Sequence, residues 1–234
     1  MNDHSLDRRS FLRFLAVWVI SVSAGPLWAT EYGTGMAGAS ALLSRQRPLM
    51  EDPAGDRLHI YTELNRANVM RDNPHWGVVS HYGTLSEKGI LKAFCGPLDF
   101  YDALVRIGAR PGNNLTEQSR GQFAGGDKLR VTASVPGVRH DADLSRIFLD
   151  STGRGFDIHF GGNRASAEER NTGCITCLES CWIGITSNAM YPLISGFRRF
   201  VRANSLFRGN PEFFTAIGDR PVILTYRIQS LAKA

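Results

Sequence analysis

The chain has no long apolar run, only four cysteines, and no concentration of charge of either sign. Its one continuous apolar stretch, Phe14-Leu15-Ala16-Val17-Trp18-Val19-Ile20 with small residues to Ala24, falls short of the about 20 residues a bilayer-spanning helix needs. No stable membrane span is therefore expected. Lys and Arg number 27 against 22 Asp and Glu, and no basic run is interleaved with aromatics, which argues against nucleic acid as a partner. The loose group Arg198, Arg199, Arg202 and Arg208 reads as solvated surface. Paired carboxylates, a nucleophile elbow and a glycine-rich phosphate loop are all missing, so an electron carrier or redox accessory protein is a stronger expectation than an enzyme.

What is present begins at the N-terminus. Arg8-Arg9-Ser10-Phe11-Leu12-Arg13 precedes the short apolar stretch, and a small-residue end follows it. A basic start, a short apolar middle and a small-residue cleavage site make an export signal, and the arginine pair points to the twin-arginine version. Residues 1–29 are read as that signal, with cleavage after Ala29 and Ala24 as the alternative. Removing them takes away three arginines and two aspartates and leaves +4 of the formal +5. The expected location is the periplasm, reached in the folded state. Export after folding suits proteins that acquire a cofactor first.

Three of the four cysteines lie in Gly173-Cys174-Ile175-Thr176-Cys177-Leu178-Glu179-Ser180-Cys181, spaced C-x2-C-x3-C, and Cys95 lies far upstream. Such close spacing lets all three thiols reach one small centre. Four thiolates suit an iron–sulfur cluster or, as the lesser alternative, tetrahedral zinc. Four cysteines in an exported chain also suit disulfides, or a thiol–disulfide exchanger built on Cys174-Ile175-Thr176-Cys177. Export in the folded state favours the cluster.

Residues 30–54, rich in Gly, Ala and Ser, read as a flexible arm, and residues 55–234 as one domain. Strands are predicted at 58–61, 75–82, 89–95, 127–135 and 220–228. A hairpin is predicted from 146–149 and 156–160 across 151–155. A helix is predicted with Gly96 as cap, Pro97 at its first position and Gly108 closing it, which sets Cys95 at a helix N-terminus. There Cys95 reads either as a ligand or redox thiol or as a small buried hydrophobe. Residues 191–207 are expected to be partly helical. The expected fold class is α+β: a single domain with a mainly antiparallel sheet, a few helices and a cysteine-bearing loop or helix insertion.

Phe100–Asn114, the earlier H-W-G-V-V, the G-G-N-R run, N-T-G-C-I-T-C-L-E-S-C and the following I-T-S-N-A together resemble the YdjY-like family, over roughly residues 57–230. Its members are described as exported, ferredoxin-like iron–sulfur proteins. The resemblance implies cluster binding by Cys174, Cys177 and Cys181, with Cys95 as the natural fourth ligand. His159, His75 and His81 are alternatives for that fourth place. Asn163, Arg164 and Arg170 are candidate hydrogen-bond donors to the sulfurs. The expected function is periplasmic electron transfer by a [4Fe-4S] protein with a redox partner protein. The alternative is a disulfide-stapled binding module or thiol–disulfide exchanger with no cluster.

Overall fold

The structure, a computed structural model, describes residues 42–52, 55–71, 73, 75–193 and 207–229. The export signal, residues 30–41 of the expected arm and residues 194–206 of the expected helical segment lie outside the described residues.

In chain order the strands are β1 (Leu49–Glu51), β2 (Arg57–Leu64), β3 (Trp76–Ser80), β4 (Leu91–Ala93), β5 (Lys128–Val135), β6 (Arg139–Asp143), β7 (Phe148–Asp150), β8 (Ile158–His159), β9 (Cys174–Cys177), β10 (Thr186–Asn188), β11 (Phe207–Gly209) and β12 (Val222–Ile228). The helices are α1 (Arg66–Val69), α2 (Pro97–Arg106), α3 (Leu144–Ile147), α4 (Arg164–Arg170) and α5 (Pro211–Ile217).

Strands follow one another in space as β2-β12-β5-β8-β10-β9-β3-β4, and β4 pairs back onto β2, so eight strands close into a barrel. The α+β expectation, with its cysteine-bearing insertion, is therefore corrected to a closed β-barrel with few helices. Closure pairs the backbone groups that an open sheet would leave bare at its edges. The hinge of the closure is β2, which changes partner along its length. Leu58 and Ile60 face β1, whereas Thr62–Leu64 face β4. The short strands β4, β8, β9 and β10 complete the ring; β4 and β8 fall within the strands expected at 89–95 and 156–160, and β9 and β10 lie where no strand is expected.

The longer strands follow their side-chain period. In β12, Val222, Leu224 and Tyr226 enter the main core, as do Leu129, Val131, Ala133 and Val135 of β5 and Leu58 and Ile60 of β2. Helix α2 forms where Pro97 and the cap Gly96 predict it, and Gly108 beyond its end has φ +92°, which only glycine adopts without strain. Its buried Phe100, Ala103 and Leu104 share one helical face, and Phe100 meets Tyr226 edge-on at 4.9 Å.

The expected 146–160 hairpin does not form. β7 pairs with β11, and β8 with β5 and β10. The Asp150 carboxylate accepts from the Thr152 and Gly155 amides and from the Tyr191 hydroxyl, which coils the connection locally and separates its two strands.

Candidate thiol site

The cysteine strand is entered through a close crossing of two backbones: a Cβ on Gly83 would fall 2.3 Å from the Gly173 Cα. Side chains three apart on a regular strand point to opposite faces. Strand β9 is not regular, because its pairing with β3 shifts register between Trp76 and Val78 and again between Val78 and Val79. Cys174 and Cys177 both enter a second buried cluster, with Leu115, Ala124, Cys181, Trp182, Ile183 and Leu193.

Strands β9 and β10 are parallel neighbours joined only by residues 178–185. Parallel neighbours generally need a longer crossover, so this connection doubles back and returns Cys181 to Cys177. The Asn163 side-chain amide donates to the carbonyls of Cys181 at 2.8 Å and Gly184 at 2.9 Å, clasping the loop at two points. The Asn188 amide donates to Leu178 O at 3.0 Å and holds its start. Over the site lies the 111–126 loop, fixed by the Ala124 amide donating to Ser180 Oγ at 2.9 Å and by paired backbone bonds between Gly121, Gln122 and Leu193.

The Cys181 sulfur accepts the backbone N–H groups of Ile183 at 3.4 Å and Gly184 at 3.3 Å. Cys177 shares the second buried cluster with Cys174 and Cys181, and both act on its thiol. These donors stabilise the anion. The Cys177 thiol and the two amides bring Cys181 down to about 7 against the opposing effect of burial. Cys177, the donor, is pushed well above its ordinary value by Cys174, Cys181 and burial.

Glu179 stands between these sulfurs in sequence. Burial, together with the nearby Cys181 charge, raises its carboxyl to about 8, while burial lowers His75 to about 3. Their Nδ1 to Oε1 contact of 3.6 Å therefore joins two neutral groups at neutral pH and is no salt bridge in charge. Sequence reasoning passed over Glu179 and Gly184. The available signal was their place within and just beyond the C-x3-C spacing.

The remaining expected site residues are dispersed. Cys95 belongs to the main core rather than to the trio's cluster, and burial pushes its thiol up to about 12. It lines a separate open cavity of about 890 Å³ with His81, Tyr82 and Phe94. His159 bonds the Gly126 carbonyl at 3.0 Å. Arg164 pairs with Asp102 and Glu168, and the Arg170 guanidinium stacks on Trp182 at 5.1 Å. Asn163 bonds loop carbonyls in place of sulfurs.

Among the described residues, no group of three or more His, Cys, Asp or Glu side chains is arranged to hold a metal ion. The expectation of a metal-binding, ferredoxin-like iron–sulfur protein is corrected on this ground and on the barrel fold. Three cysteines sharing one buried cluster, with Cys177 acted on by both neighbours and packed on Gly184, suit sulfur–sulfur chemistry better than a common ligand point.

Residues 51–227 match the family model of the YdjY domain. A relative from Escherichia coli (strain K12), uncharacterized protein YdjY, is 33% identical over 150 residues, which cover 64% of this chain and 66% of the relative. The chain thus spans just under two thirds of that relative's length. No solved structure matches.

Proposed function

The chain belongs to the YdjY family, and from that premise we propose that it is an exported thiol–disulfide exchange protein acting in the periplasm. Cys181 is the attacking thiolate and Cys177 the resolving thiol. The observation that carries this reading is the pair of backbone N–H groups on the Cys181 sulfur, with the Cys177 thiol alongside. Such donors favour the anion that performs the exchange.

The Cys181 thiolate attacks one sulfur of a substrate disulfide, forming a mixed disulfide and releasing the other half as thiolate. Cys177 then loses its proton to solvent and attacks the Cys181 sulfur. The Cys177–Cys181 bond forms and the second substrate thiolate leaves. Two electrons have moved from the protein dithiol to the substrate disulfide. A redox partner protein carrying a dithiol restores the reduced site. Because Cys181 is only 7% exposed, the favoured substrates are small disulfides. The twin-arginine pattern at Arg8-Arg9 supports the periplasmic location.

The test is to purify the full chain without oxygen and titrate it with oxidised glutathione. Loss of Cys177 and Cys181 thiols into an intramolecular disulfide, with Cys95 still free, is expected. A brown product holding iron and acid-labile sulfide, or thiols inert to the disulfide from about pH 6 to 9, overturns the reading.

A further inference from the structure

The exchange just described uses two of the three neighbouring sulfurs and gives Cys174 no task. Yet Cys174 is buried in the same cluster as Cys177 and Cys181, and its side chain acts on the Cys177 thiol. The register shifts of β3 against β9 are what bring it there, since a regular strand would turn Cys174 away from Cys177. The three cysteines are graded in exposure. Cys181 is 7% exposed, Cys174 3% and Cys177 fully buried.

We infer that Cys174 is the third member of a sulfur relay in which Cys177 is the pivot and an oxidising equivalent taken up at Cys181 is passed inward. The inference rests on the exchange reading above. Once Cys177–Cys181 has formed, Cys174 gives its proton to solvent and attacks the Cys177 sulfur. The Cys174–Cys177 bond forms, the Cys177–Cys181 bond breaks, and Cys181 leaves as thiolate. No electron enters or leaves the protein in this step. The two amide donors that favour the Cys181 thiolate as attacker favour it equally as leaving group.

Passing the bond inward has a chemical consequence. Cys181 is again a free thiolate, but its resolving partner is now occupied. A second encounter with a disulfide leaves a mixed disulfide on Cys181 that nothing displaces. The site thereby consumes three thiols per chain, and a two-thiol exchanger consumes two.

Excess oxidised glutathione added to the full chain distinguishes these outcomes. Glutamyl-specific cleavage at Glu179 separates Cys174 and Cys177 from Cys181, so the two internal disulfides give different peptides. The relay predicts an early linked pair of peptides, then a single peptide holding Cys174–Cys177 and a glutathione adduct on Cys181. Cys174→Ser stops at the linked pair and retains no glutathione, and Cys174→Ala repeats this if the serine is poorly tolerated. A wild-type chain that keeps the linked pair throughout, with Cys174 a free thiol, overturns the relay and leaves the exchange reading standing. A chain forming no internal disulfide at all overturns both.

Discussion

Gly184 and Cys177 are in direct contact: a Cβ built on Gly184 would sit 2.6 Å from the Cys177 sulfur and 3.3 Å from the Thr186 carbonyl oxygen. A short, fully buried side chain has nowhere to retreat from such an approach. Gly184→Ala is expected to cost about 1–3 kcal/mol of stability, as overpacking of a buried site does, and to slow disulfide formation. Gly161→Ala is the control, because its nearest atom would be 3.5 Å away. Denaturant unfolding and the rate of thiol loss check both, and equal behaviour of the two variants refutes the steric account.

The Asn163 clasp is separable from its backbone geometry. Asn163 has φ 54°, where alanine is strained, so Asn163→Gly removes the amide without that strain. Leaving the buried Cys181 and Gly184 carbonyls without their donor is expected to cost about 1–3 kcal/mol. Cys181 should then also be alkylated faster, as its loop loosens. A glycine variant as stable as the parent shows that the clasp contributes nothing.

Alkylation of Cys181 should rise with pH around a midpoint of about 7, and not near the ordinary thiol value of 9.0. Iodoacetamide labelling of Cys181, followed by peptide mapping, reads this directly. Cys177→Ser replaces the thiol donor with a hydroxyl of different reach, so the midpoint should move. An unchanged midpoint would trace the shift to the amides alone. Because the folded-state value is depressed, Cys181 contributes stability above its ordinary value, and that contribution is lost as pH falls through about 7.

Glu179 acts in the opposite sense. Its carboxyl is raised from 4.5 to about 8, so the fold favours the protonated form. The contribution is fully present below the ordinary carboxylate value and disappears as pH rises toward about 8. Glu179→Gln, neutral at every pH, should match the parent near about pH 4 and exceed it in stability at about pH 8. Urea midpoints at both pH values check the sign, and a parent more stable than this variant at the higher pH contradicts it.

Much of the local structure was legible. Pro97 and Gly108 bracket α2 because their backbone preferences act without help from distant residues. β5 and β12 were readable because seven or eight residues suffice to display alternation. The short β4 and β8 fall inside the strands expected at 89–95 and 156–160, whereas the four-residue β9 and three-residue β10 show no such signal, and these complete the barrel. The hairpin reading failed at Asp150, whose side chain organises its own turn, while β7 and β8 pair with strands distant in the chain.

The amino-acid sequence by itself determined that three thiols stand within a few residues of one another and that α2 and the long strands form, since chain connectivity and local preference suffice for these. Only the tertiary structure decided that Cys174 and Cys177 share a buried cluster, that Cys181 joins them there, and that Cys95 stays in the main core. Those outcomes depend on the register of β9 against β3, on the doubled-back 178–185 connection and on closure through β2 and β4. Each is a pairing between residues distant along the chain, set by which backbone groups meet and invisible in the spacing of the cysteines.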